Sequence, residues 1–370
     1  MKGIEILTND DPAAKAVEVL ESKAEYYAAN PTKIPADFKA FKAQLDAFLD
    51  NIKGIWGEDE AKQSGPKDYV KYTDQYYNRA HINFESGTVT VETLAPDSQQ
   101  DYLKKAIVTT LLTPDDPREV DLYSDSTPVE GKTKPFLYEQ VLDQEGKPIQ
   151  WQWRANRYAD YLIKNKLTKV TIGKRRGLRV VFPMVSTHQN IRAYKYAALV
   201  QKYSKKYNVT ESLIYGIIKT ESSFNPFATS HAPAYGLMQV VPSTAGRDVY
   251  EKIKKRSGQP TPKNLYDPEY NIDIGTAYVK ILQEQYLVKV KDKNTKRYTV
   301  ISAYNGGAGN VLKTFSSNRE QAMVKINQLS PNQVYNDLTT KHPKGESRRY
   351  LVKVTDAQKE FWANNGFSNE

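Results

Sequence analysis

One carboxylate stands where a helical pattern calls for an apolar side chain. Thr210 is a good N-cap, and the helix it starts has Leu213, Ile214, Ile217 and Ile218 on one face. Continuing that stripe lands on Glu221. Aliphatic neighbours disfavour the charged form and should raise its pKa, and the negative end of the helix dipole acts the same way. Ser222, Ser223, Phe224, Asn225 and Pro226 end the helix, so Glu221 sits on the last turn beside a loop. A carboxyl placed there is suited to general acid catalysis. Taken alone, a glutamate at a helix end is more often a surface or ion-paired group.

More of the pattern follows. Ser230 precedes Ala234, Tyr235, Gly236, Leu237, Met238 and Gln239, and Pro242 to Ala245 lead into another helix with the proline near its first turn. Ala303, Tyr304, Asn305, Gly306, Gly307, Ala308 and Gly309 follow a predicted helix over 298–304. A phosphate loop needs its glycines after a strand with P-loop or Rossmann spacing, so nucleotide binding is rejected. No second carboxylate stands out. Asp273 is the nearest candidate, and its helical stretch 271–278 reads as structural.

The run from Glu221 to Pro226, Ser230, Gly236 to Gln239, and Ala303 to Gly307 resembles the lytic murein transglycosylases with a goose-lysozyme-like catalytic domain. The likeness extends through 257–260, 271–278 and 346–351. Together with 65–72, these stretches are most similar to the membrane-bound members of that family. The resemblance implies a carbon–oxygen lyase that cuts the β-1,4 bond between N-acetylmuramic acid and N-acetylglucosamine in peptidoglycan and closes a 1,6-anhydro ring. It makes Glu221 the sole catalytic acid and base, with the substrate's own acetamido group taking the part of the missing carboxylate. Ser230, Met238, Gln239, Tyr304, Asn305 and Tyr350 would form the substrate-binding set. Within it Gln239 would meet an N-acetyl group, Met238 would line the cleft, and Tyr304 would hold Glu221. Asn305 would shape its turn, and Tyr350 would position the glutamate or the attacking hydroxyl. A goose-type lysozyme that uses water, and a non-catalytic peptidoglycan-binding protein, are the alternatives.

Composition limits the other classes. The 370 residues, 39% hydrophobic and 26% charged, suit a soluble globular protein with room for two domains. There is no cysteine, and the four histidines show no ligand spacing, so neither a metal nor a cofactor is expected. The net charge of +10 favours polyanionic partners. No zinc-finger, RNP or basic-zipper pattern accompanies it, so nucleic acid is not expected; the resemblance implies the glycan strands of peptidoglycan as the partner. No apolar run is long enough to span a membrane, and Met1 to Leu7 do not read as a signal peptide. The resemblance implies a periplasmic protein, associated with the outer membrane in its full-length form; an export signal and a lipid-anchor cysteine are absent from this chain.

The elements that must carry this chemistry fall into an α+β arrangement. A first helix is expected from Asp11-Pro12 to Asn30-Pro31, and a second over 37–56, with Phe38, Phe41, Leu45, Phe48, Ile52 and Ile55 as its stripe. Residues 81–84 and 88–91 read as one hairpin, and 168–172 with 178–182 as another. Helices are expected over 98–112 and 151–167. The expected organisation is a helical segment over 1–64, a mixed domain around a small antiparallel sheet over 65–185, and an all-helical lysozyme-like catalytic domain over 186–370.

Overall fold

The computed structural model describes residues 34–128, 134–230 and 234–364. The expected helix over 11–30 lies outside them. The chain forms two compact units. The first reaches Arg192 and takes in Asn225–Gly236; the second comprises Ala193–Phe224 and the chain from Leu237 onward.

In the first unit, α1 (Ile34–Trp56) precedes β1 (Asp68–Thr73), β2 (Asn78–Asn83) and β3 (Thr88–Thr93). Then come α2 (Gln99–Leu111), α3 (Gln152–Lys166), β4 (Thr168–Ile172) and β5 (Arg175–Pro183). The strands form one antiparallel sheet in the order β1-β2-β3-β5-β4. Side chains alternate across its faces. Ile82, Phe84, Val89, Val91, Val180 and Phe182 bury against Leu103 and Ile107 of α2 and Ala159 and Leu162 of α3. Val70, Tyr72 and Ile172 meet Leu45, Phe48, Ile52 and Trp56 of α1 on the other face. The stretch expected to be a separate helical segment thus supplies, through α1, one layer of this unit's core. Both expected hairpins are present. Strand β1 was not anticipated, because Lys71 interrupts its apolar alternation; the buried ammonium is satisfied by the carbonyls of Asp121 and Ser124, at 2.7 and 2.6 Å.

An ionic ladder crosses the sheet. Arg79, Glu92 and Arg179 face one another across β2, β3 and β5. Nε of Arg79 donates to Glu92 at 2.8 Å and Nε of Arg179 at 2.6 Å. Burial opposes the Glu92 charge, but the two guanidinium groups outweigh it and hold the carboxyl below its usual range.

The first unit extends past the expected boundary at 186 and takes in a later loop. Arg192 is buried in the first unit, donating to Gln140 Oε1 at 2.7 Å and to the Phe84 carbonyl at 2.8 Å. Asn225–Gly236 also belongs there: the Phe227 ring packs 5.0 Å from Tyr69 and 5.2 Å from Phe136, and Asn225 Nδ2 donates to the Pro66 carbonyl at 3.1 Å. A loop held by one aromatic anchor carries no periodic pattern that would reveal its packing.

The chain enters the second unit within α4 (His188–Tyr207), followed by α5 (Glu211–Ser222). A π-turn over Pro242–Gly246 leads to α6 (Arg247–Lys252), α7 (Pro262–Leu265) and α8 (Pro268–Ile281). Then come α9 (Lys293–Gly306), α10 (Ala308–Phe315), α11 (Arg319–Gln328), α12 (Pro331–Thr340) and α13 (Gly345–Asn364). Among its described residues there is no named strand, as expected. Side chains cap the starts of several helices. Asp267 accepts from Tyr270 N, Asp292 from Thr295 N, and Ser330 with Gln333 makes a capping box. Helix α13 lies against α5 at Gly216, where a Cβ would come 3.1 Å from the Val354 carbonyl.

Candidate active site

Three pieces of the second unit converge on the end of α5. The first is that end itself. Glu221 is half-buried on the last turn. The Ser222 hydroxyl, shared between the carbonyls of Ile218 at 3.0 Å and Leu237 at 2.8 Å, ties the turn to the segment beyond the loop. Ser223 and Phe224 then take φ of 51° and 60°. Two consecutive non-glycine residues in the left-handed region are costly and are tolerated where surrounding structure enforces them. Phe224 is held by burial and by the Tyr215 ring at 5.2 Å.

The second piece is the turn carrying Gln239, itself buried with a φ of 45°. The preceding residue anchors it at both backbone groups. Met238 N–H donates to Asn271 Oδ1 at 2.8 Å, and the Tyr304 hydroxyl donates to the Met238 carbonyl at 2.8 Å. Asn271 is oriented in turn by donating Nδ2 to the Leu265 carbonyl at 2.8 Å. One helical turn along α8, Gly275 leaves room for the Met238 side chain; a Cβ there would stand 2.4 Å from its sulfur. Met238 is therefore fully buried, and its side chain packs in the core where a cleft-lining role was expected.

The third piece joins α9 to α13. Asn305 Nδ2 donates to Glu346 at 3.0 Å, and Ser347 Oγ donates to Asn305 Oδ1 at 2.6 Å. Both ends of this amide are engaged in holding the two helices together, which leaves Asn305 a positioning task. The clamp fixes the first turn of α13, and one turn further on is Tyr350, buried at 5% exposure.

Glu221 acts on both tyrosines. Burial first, then the Glu221 carboxylate, holds the Tyr304 phenol well above its usual range. The same two causes, in the same order, raise Tyr350, with the carboxylate also acting as acceptor for its hydroxyl. That hydroxyl makes no hydrogen bond of standard geometry, so its approach to Glu221 is long or bent, as is common before substrate binds. Both phenols stay protonated through the working pH range. The Tyr304 proton is directed at Met238, which leaves Tyr350 as the phenol that donates toward the carboxylate.

Asp273 is placed quite differently. It accepts from Lys206 Nζ at 2.8 Å, from the Tyr207 hydroxyl at 2.6 Å and from Lys254. Burial pushes its pKa up, but these donors hold it lower than usual, and its oxygens are taken. Glu346 comes near enough to act on Tyr350, but it is exposed and accepts from Asn305. Ser230 lies on the segment grouped with the first unit, where its Oγ accepts from Ala234 N at 3.3 Å. The site residues brought together within the second unit are thus Glu221, Met238, Gln239, Tyr304, Asn305 and Tyr350. Sequence reasoning missed Asn271 and Gly275 as supports of Met238; their spacing of four on one helix face was the available clue. Among the described residues no cluster of three or more His, Asp or Glu side chains could hold a metal ion.

Residues 198–327 match the transglycosylase SLT domain, which makes the protein an enzyme of the lytic transglycosylase class. Residues 34–195 match the family described as membrane-bound lytic murein transglycosylase C, N-terminal domain. A Photorhabdus laumondii protein named membrane-bound lytic murein transglycosylase C is 54% identical over 88% of this chain and 91% of its own length. One of the same name from Yersinia enterocolitica is 53% identical over 88% and 90%. The chain belongs to the membrane-bound lytic murein transglycosylase C family. The 70 kDa soluble lytic transglycosylase from Escherichia coli is 26% identical over 46% of this chain and 25% of its own, with a TM-score of 0.36. No described helix is long and apolar enough to cross a membrane.

Proposed function

We propose that this enzyme cleaves the β-1,4 bond between N-acetylmuramic acid and N-acetylglucosamine in peptidoglycan without consuming water, and releases a 1,6-anhydro product. The observation that carries the proposal is the setting of Glu221: one half-buried carboxyl at a helix end, faced by a protonated Tyr350 phenol, while the other acid considered, Asp273, is bound up in ion pairs. A two-carboxylate mechanism requires a second acid flanking the bond. With none assigned, the substrate's acetamido oxygen stabilises the cationic centre as Glu221 protonates the departing glycosidic oxygen. Glu221, now ionised, takes the proton from the C6 hydroxyl of the muramic sugar, which attacks its own anomeric carbon and closes the ring. Tyr350 donates to the carboxylate in its ionised state and so favours proton loss from Glu221, the first step, more than the proton uptake of the second. Gln239, presented by the braced turn, binds an N-acetyl group, and Ser230 binds the sugar from its own loop. The working place of such an enzyme is the periplasm, where a wall substrate lies, at the outer membrane; the relatives' name supports membrane attachment alone. Digestion of purified sacculi followed by mass spectrometry of the muropeptides tests this. Anhydro ends support it; reducing ends make the protein a hydrolase of the goose-lysozyme kind and sink the proposal.

A further inference from the structure

A second pocket of about 230 Å³ lies between α9, α12 and α13. Its walls include Arg297, Tyr298, Tyr335, Gln358, Lys359 and Trp362, none of which has a part in the catalytic arrangement above. Two of these residues carry a buried polar atom without a hydrogen-bond partner: Nε of Arg297 and Oε1 of Gln358. A buried donor and a buried acceptor left open in one pocket cost stability unless something comes to pair with them. The surroundings hold both in place. The Arg297 guanidinium lies over Tyr298 at 5.2 Å and over Trp362 at 5.5 Å, and Tyr298 packs against Tyr335 at 5.0 Å. Gln358 is 1% exposed and donates its Nε2 to Ser212 at 3.2 Å, which directs the amide oxygen away from that bond.

The chemistry selects the ligand. Lys359 is paired with Asp356 at 2.8 Å, so Arg297 is the cation that favours an anion here, and a guanidinium offering its Nε edge suits a planar carboxylate. The open carbonyl of Gln358 calls for an N–H on the same ligand. The aromatic rings call for a small apolar group, and the volume admits about one or two amino-acid residues. A carboxylate, an amide N–H and a small side chain together describe the last residue of a peptide. We propose that this pocket binds the free C-terminal residue of a peptidoglycan stem peptide, apart from the catalytic glutamate; the choice of a wall peptide rests on the proposed function. Ser212 lies on α5, the helix that ends in Glu221, so the occupied pocket is linked by one hydrogen bond to the catalytic helix.

Of the four tryptophans, only Trp362 lies in the second unit, so it reports on this pocket. The test uses the full chain carrying Glu221→Gln and fluorine-labelled tryptophan, with the Trp362 resonance assigned through Trp362→Phe. The probes are the stem tetrapeptide ending in D-alanine and the same peptide with its C-terminus amidated. The free acid should shift the Trp362 resonance saturably, and amidation should weaken binding at least about tenfold, the effect of losing one charge-assisted hydrogen bond. Arg297→Lys, which keeps the charge but loses the Nε edge, should shrink the difference between the two peptides. No saturable shift, or equal binding of acid and amide, overturns the proposal. Digestion of sacculi by the unlabelled wild-type enzyme is read separately: anhydro products without a Trp362 response sink the pocket alone.

Discussion

Replacing Tyr350 by phenylalanine isolates what its hydroxyl does for Glu221. The ring is buried at 5% exposure and remains in place in the variant, so packing is kept. Only the oxygen is lost, and that oxygen makes no hydrogen bond of standard geometry while facing the Glu221 carboxylate. A hydrogen bond to a charged group is worth about 1.5–3 kcal/mol. If it is made fully only as Glu221 ionises, the whole of it appears in the barrier, and kcat falls by roughly 10- to 150-fold with KM little changed. The folded protein, in contrast, loses a poorly satisfied buried hydroxyl, so its unfolding free energy should stay within about 1 kcal/mol of wild type or rise slightly. The assay is the rate of muropeptide release from sacculi over a range of substrate concentrations, paired with urea denaturation. Activity within about threefold of wild type would refute the reasoning. So would a loss of stability large enough to account for the loss of rate.

Glu221→Gln should fold normally and lose roughly 10²–10⁴-fold in turnover on sacculi, since the amide cannot pass a proton; retention of more than about a tenth of activity removes Glu221 from the acid–base role. Gly275→Ala drives a methyl into the buried Met238 side chain. It should cost about 1–3 kcal/mol by denaturation and lower activity as well, because the Gln239 turn shifts with Met238; an unaffected variant would mean that the turn is not braced there. His188 is held down to about 4 by burial and by the neighbouring Arg192, against an ordinary 6.5. Its folded state takes up a proton less readily than the unfolded chain, so the stability it contributes is present above pH 6.5 and is lost as pH falls toward 4. That loss amounts to roughly 3 kcal/mol. Denaturation of His188→Asn should show a flatter slope across that window, and an unchanged slope would assign the loss to other groups. If Gln239 binds the acetamido group, Gln239→Ala should weaken cutting of normal glycan and narrow its advantage over de-N-acetylated glycan, measured as a double cycle; equal rates on both glycans with the wild-type enzyme would overturn substrate assistance.

What the sequence determined by itself was everything local. The stripe of Leu213, Ile214, Ile217 and Ile218 ending on Glu221 is a matter of helical period, and helix α5 has that face buried with Glu221 on its last turn. The hairpins β2/β3 and β4/β5 were legible because alternation and turn residues are also short-range. The all-helical character of the second unit could be read in the same way. Three matters depended on the tertiary structure. Whether Met238 would line a cleft or fill the core was decided by Gly275, whose missing side chain leaves space that matters only once α8 lies beside that turn. Asn305 reads in sequence as a loop residue, and its amide is spent on Glu346 and Ser347 because α9 ends where α13 begins. The segment Asn225–Gly236 sits within the helical half of the chain by number, yet it packs with the first unit because Phe227 meets Tyr69 and Phe136. In each case the deciding interaction joins residues far apart in the chain. The period of a pattern records which side of a helix or strand is buried, but carries no information about what it is buried against.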